Sequence, residues 1–390
     1  TSDPSGTLQN GTTVPGINDN VVILSGRTVS LSSDIVTTNL NLTINDGAFL
    51  DQSTFRFTQP LQTLSGQGTL RLASVNFPTG TTAAFTNTGG GTTEYYNSAN
   101  FTLPVTQTSY NNLTINASGF IATQLNNITL NGNLYVKQGT FRINDDVSAT
   151  KRTLTINGNV TVDNGGFITV GLGTTNTTTN PIGITGGAAA PFINYYTHFH
   201  TVIIKGDFTN SGSVRFTNLL FPIYDAFPPL GSLATSGAAS VYFQGATDNT
   251  ITCNGQTDFY NLILDKGTDQ TYKLTVNSSD YSFFRLFGAN TSGADITNPV
   301  ATNANPNLKK ALWIRTGTLV LQGFTVIPSL SEGTCNGAPN SDFYIPANGG
   351  LVIDGSNVIV LATADDYNEV NLAYTVAGGT GLVNGINQGA

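Results

Sequence analysis

Methionine is absent from all 390 residues, histidine and cysteine occur twice each, tryptophan once, and charged side chains make up only 10% of the chain. An ordinary globular domain carries about 25% charged residues, so this is not the profile of an intracellular helical or α/β enzyme. The 15 Lys and Arg face 23 Asp and Glu, for a net charge of −8 without any basic stripe. Nothing is therefore available to neutralise a phosphate backbone, and nucleic acid is not an expected partner. No apolar run reaches the roughly 18 residues that cross a bilayer, so no membrane span is expected. The opening "TSDPSGTLQNG" lacks the basic and apolar regions of a signal peptide. With Met missing even at position 1, the chain is expected to be a segment of a longer precursor whose C-terminal part follows Ala390.

Gly (43 residues), Asn and Thr are abundant instead, and they recur in order. "ITLNGNLYVKQGTFRIND" (128–145) is followed by "LTINGNVTVDNGGFITVG" (154–171), aligned without a gap at an offset of 26 residues, which matches Asn131 with Asn157, Gly132 with Gly158, Gly139 with Gly165 and Phe141 with Phe167. Each copy reads as two short strands of period two joined by a glycine corner. The small Gly stands before an apolar residue, as a tight corner with positive φ requires. Related units begin at Leu42, Leu64, Phe208, Leu312 and Ile345, and Gly139, Gly165 and Gly317 are expected to be equivalent corners in one line.

Asn-Gly steps at Asn131, Asn157, Asn254 and Asn336 are also good hairpin turns, which would build antiparallel sandwiches. A unit of about 26 residues is too small to bury its own apolar face, whereas stacked units pair each strand with its equivalent one coil away. The expectation is an all-β fold, a right-handed parallel β-helix of some ten to thirteen coils spanning residues 1–390 as one solenoid. Segments rich in Gly, Pro, Asn and Thr near 173–200, 221–240 and 288–310 break the register and read as irregular insertions.

Few residues offer chemistry. His198 and His200 in "HFH" would lie about 7 Å apart on one strand face, but zinc needs a third ligand and the chain has no other histidine. No metal or other cofactor is expected. Cys253 and Cys335, each in a "CNG…DFY" context, are compatible with one disulfide and equally with two free thiols. Asp145/Asp146 and Asp365/Asp366 are the candidate carboxylate pairs for a polysaccharide-cleaving site. Strand neighbours point to opposite faces, so solvated turns are the preferred reading. Tyr95, Tyr96, Tyr195, Tyr196, Tyr260 and Phe283 are aromatics that could stack on sugars, with burial the competing role. Tyr195, Tyr196, His198 and His200 together mark the best candidate binding loop. Sequons at Asn41, Asn112, Asn127 and Asn159 arise readily in any Asn/Thr-rich strand and identify no modification.

The stretches "TSYNNLTINASG" (108–119), "TDFYNLILDKGT" (257–268) and "VPGINDNVVILSGRTVSLSSD" (14–34) resemble the large secreted and cell-surface repeat proteins of Bacteroidetes, among them adhesins linked to gliding motility. The resemblance implies type IX secretion, display at the outer cell surface, and a non-catalytic stalk or adhesin role. Expected partners are the secretion machinery during export, then surface glycans or other surface proteins. The other reading left open is a β-helical polysaccharide lyase or glycoside hydrolase.

Overall fold

The computed structural model describes residues 15–148, 150–171, 200–217, 237–259, 261–286, 312–327 and 347–360. Alternating burial converts the period-two pattern into strands, as in Ile128–Leu130 with its two ends buried and its centre half-buried. One such strand cannot bury its inward residues alone. It does so by lying beside its equivalent from the next coil, and every strand pairing among the described residues is parallel. The one antiparallel contact among them is an isolated bridge between Thr217 and Ala238. The fold is all-β and a parallel β-helix, as expected, and hairpins are not its building block.

Each full coil contributes to three ladders. The coil at 153–170 shows all three, with Thr153–Ile156 in the first ladder, Val160–Val162 in the second and Gly166–Val170 in the third. The second ladder runs unbroken through Thr28–Ser30, Phe49–Ser53, Thr69–Leu72, Thr92–Tyr95, Asn112–Gln124, Leu134–Ile143, Val160–Val162, Phe208–Asn210, Asn249–Cys253, Lys273–Ser278, Leu312–Gly323 and Gly349–Ile353. That is twelve rungs, inside the range expected from the repeat. Asn112–Gln124 and Leu134–Ile143 bend to serve the third ladder too, and Leu312–Gly323 serves the first and second.

The inward residues form one apolar cluster from Ile23 to Val358. It is largely Leu and Ile in the first coils and becomes aromatic near the middle, where Phe259 lies within 5.5–6.4 Å of Phe208, Phe216, Phe243 and Phe284, centroid to centroid. A single turn of helix, Ala83–Thr86, breaks the strand pattern and buries Phe85.

Two expectations about the repeat need correction. The offset of 26 holds for Ile128↔Leu154 and Leu134↔Val160, but past the corner Gly139 pairs with Gly166 and Phe141 with Ile168. The later coil carries one extra corner residue, and a slip of one residue exchanges inside for outside. Phe141 is thus fully buried while its presumed equivalent Phe167 is 43% exposed. Gly139, Gly165 and Gly317 all have positive φ (82°, 99° and 89°). Gly139 and Gly165 share the corner between second and third ladders, but Gly317 turns the chain from first to second and pairs with Gly349.

The insertion boundaries shift slightly as well. His200 begins the strand His200–Ile204, and Ala239 and Ser240 begin Ala239–Gly245, so these residues belong to the first ladder. Gly237 and Ala238 are described as well, and the remainder of the three insertions lies outside the described residues. Each of the intervals 172–199, 218–236 and 287–311 separates a third-ladder strand from the next first-ladder strand, so all three fall between the same two ladders.

Candidate functional site

Of the expected binding loop, Tyr195, Tyr196 and His198 lie outside the described residues. His200 is fully buried, and its Nδ1 accepts the Arg152 backbone N–H at 3.0 Å. It is a satisfied interior residue at the mouth of the insertion, with no access to a ligand in solution.

Cys253 is buried and has no disulfide partner among the described residues, from which Cys335 is absent. Burial pushes its thiol up to about 12, against a smaller opposing effect of Thr257. Asp145 accepts the N–H groups of Val147 and Ser148, and Asp146 pairs with Arg142 at 2.8 Å. Partial burial raises the Asp145 carboxyl, but those two N–H bonds and nearby Arg142 and Arg152 outweigh it and leave it below the usual range. The pair is a turn clamp, as preferred from the sequence. Asp365, Asp366 and Tyr260 lie outside the described residues. Among the described residues no group of three or more His, Cys, Asp or Glu could hold a metal ion.

The aromatics divide. Tyr95 is core, its hydroxyl 3.2 Å from that of Tyr110, and Phe283 packs half-buried against the apolar cluster. Tyr96 alone joins a polar group at the surface. There the outward positions of successive second-ladder strands bring Asp51, Arg71 and Glu94 into register. The Arg71 guanidinium lies 3.6 Å from Asp51 and 3.5 Å from Glu94, and 4.7 Å from the centre of the Tyr96 ring. Tyr96 donates its hydroxyl to Asp51 Oδ1 at 2.5 Å, and Asn116 donates to Glu94 at 2.9 Å. Burial first, and the Asp51 carboxylate second, raise the Tyr96 hydroxyl above its ordinary value. Sequence reading missed this cluster because its members stand 20 and 23 residues apart. The available signal was the charged residue after the buried Leu or Thr in "FLDQS", "TLRL" and "TTEY".

A guanidinium between two carboxylates is a poor acid–base pair, because both acids are already committed and no space separates them for a glycosidic bond. It is a good rigid platform: short polar groups on strands, fixed by mutual bonds, can donate to and accept from hydroxyl-rich ligands without further ordering. A second charged group of this kind stands on the third ladder, where buried Asp258 binds Arg285 through both oxygens (2.6 and 2.8 Å) and Arg215 at 3.0 Å.

Asparagine gives the rest of the surface its order. At the corner before the second ladder, Asn112 Oδ1 accepts the N–H of Asn133, Asn133 Oδ1 that of Asn159, and Asn159 Oδ1 that of Asp207, at 2.8–2.9 Å. Asn127 accepts from the Thr153 N–H and Asn41 from the Thr63 hydroxyl. The four sequons are thus rungs of coil-to-coil ladders, which explains why Asn and Thr recur there. No family model, no curated protein and no solved structure matches the chain, so the geometry stands on its own.

Proposed function

We propose that the chain is the passenger of a secreted or surface-displayed bacterial protein, a non-catalytic stalk or adhesin whose coil stack holds binding segments along one edge. On this reading it works outside the cell or at its outer surface, is exported by a type IX-like system, and contacts surface glycans or other surface proteins. The observation that carries it is the position of the intervals 172–199, 218–236 and 287–311, each of them between a third-ladder strand and the next first-ladder strand. Loops held on one line by a stiff scaffold engage a partner together, and effective concentration then multiplies weak contacts. The weakly charged flanks suit neutral ligands.

Deleting Thr174 to Ala190 tests the role. Attachment to glycan-coated surfaces is expected to fall while thermal stability holds. Unchanged attachment with a lowered melting temperature would assign the segment to packing alone. The alternative of a glycan-cleaving enzyme gains support only if the same surfaces release soluble oligosaccharide.

A further inference from the structure

Lys266 is, among the described residues, the one lysine with no solvent exposure. It ends the first-ladder strand Asn261–Lys266 and pairs in register with Gly245 of the preceding coil. Gly317 closes over it from the next coil, near enough that a Cβ there would stand 2.9 Å from Lys266 Cβ. Between these two glycine corners the side chain turns inward. Its Nζ donates to Asn249 Oδ1 at 2.5 Å and reaches the Gln244 carbonyl at 3.4 Å. Asn249 Cγ, one carbonyl bond further, is therefore no more than about 3.7 Å from the amine. On the other side of the same amide, Asn249 Nδ2 donates to Asp207 Oδ1 at 3.3 Å.

An amine, a carboxamide and a carboxylate are thus lined up across three successive coils. A buried ammonium with neutral hydrogen-bond partners is poorly solvated and gives up its proton more readily than a lysine in water. Burial lowers the pKa of Lys266, and Asp248 and Asp207 offset this only in part. Asp248 accepts the Lys273 N–H at 2.8 Å and Asp207 the Thr250 N–H at 2.9 Å, and of the two it is Asp207 that touches the amide.

We propose that Lys266 and Asn249 join through an intramolecular isopeptide bond, with Asp207 holding the leaving nitrogen. The Lys266 ammonium passes the proton it already donates to Asn249 Oδ1, and the freed amine attacks Cγ. The new Nζ–Cγ bond gives a tetrahedral intermediate, and a second proton of the former ammonium passes to Nδ2, whose growing positive charge the Asp207 carboxylate stabilises. The Cγ–Nδ2 bond then breaks, the carbonyl re-forms, and ammonia leaves with the proton from Oδ1. One C–N bond is exchanged for another, nothing is oxidised or reduced, and no co-reactant is needed. Holding the two groups in contact supplies the effective concentration such a step requires. The product joins two adjacent coils covalently. The chemistry stands independently of the proposed surface role.

Intact mass spectrometry of the folded protein, after incubation at neutral pH, tests this. The expected mass is one ammonia below that of the sequence, with a branched peptide joining Lys266 and Asn249 in the digest. Lys266→Met and Asp207→Ala are expected at full mass, Asp207→Ala with the wild-type circular dichroism. Full mass for the wild type overturns the proposal, as does an ammonia loss that maps to a succinimide at an Asn-Gly step. A bond that still forms in Asp207→Ala removes Asp207 from the chemistry.

Discussion

Gly139 and Gly165 show how two residues of one type at one corner differ in what they tolerate. Both sit at positive φ, which disfavours any L side chain. At Gly139 a Cβ would also stand 2.0 Å from the Ala117 carbonyl oxygen of the coil below, whereas at Gly165 nothing lies within 4 Å. Gly165→Val is expected to cost about 1–2 kcal/mol from backbone strain alone. Gly139→Val should exceed it by at least about 1 kcal/mol, because backbone must move as well. Urea denaturation of the two variants measures the difference, and equal losses would mean that the coils are not in contact at Gly139. The need for glycine was legible in the sequence; which corner each one occupies was not. "GTF" at Gly139 and "GTL" at Gly317 look alike because a tight turn before an inward apolar residue has the same local chemistry at every corner.

At the scale of the strand, the third-ladder segment Gly166–Val170 is the sharpest test of register, since the ungapped repeat points to Phe167 inside and the pairing places Ile168 there. Ile168→Ala is expected to destabilise by about 2–4 kcal/mol through lost burial and a residual cavity. Phe167→Ala should stay within about 0.5 kcal/mol, as exposed positions do. The reverse order, read from thermal melts, would restore the ungapped alignment. The existence and parallel direction of the strands and the number of coils followed from period-two patterning and a unit too short to fold alone, whereas the third strand of each full coil did not. What escaped the sequence was anything made by stacking: the extra corner residue before Gly166, and the Asp51–Arg71–Glu94 line. Its members become neighbours only after three coils have been laid in register. Of the candidate loop only His200 falls among the described residues, and it was misread. A polar residue in an alternating strand shows its parity only when the inward Val202 and Ile204 are counted with it.

The whole molecule is a stack in which each coil is stabilised by its neighbours, so its defining property is linear extension. Outward residues of the second ladder from Ser30 through Asp51, Arg71, Glu94, Thr114, Tyr135, Thr161, Thr209 and Thr252 to Asn277 stand one above another in continuous register. The proposed stalk role depends on that line being unbroken. Spin labels introduced by Ser30→Cys and Asn277→Cys measure it directly by pulsed dipolar spectroscopy, with Cys335→Ser to leave no competing thiol and the buried Cys253 retained. Nine rungs at about 4.8 Å each place the expected distance near 43 Å, in one narrow distribution. A distance below about 30 Å, the span of a small compact domain, or two separate populations, would contradict a continuous parallel stack.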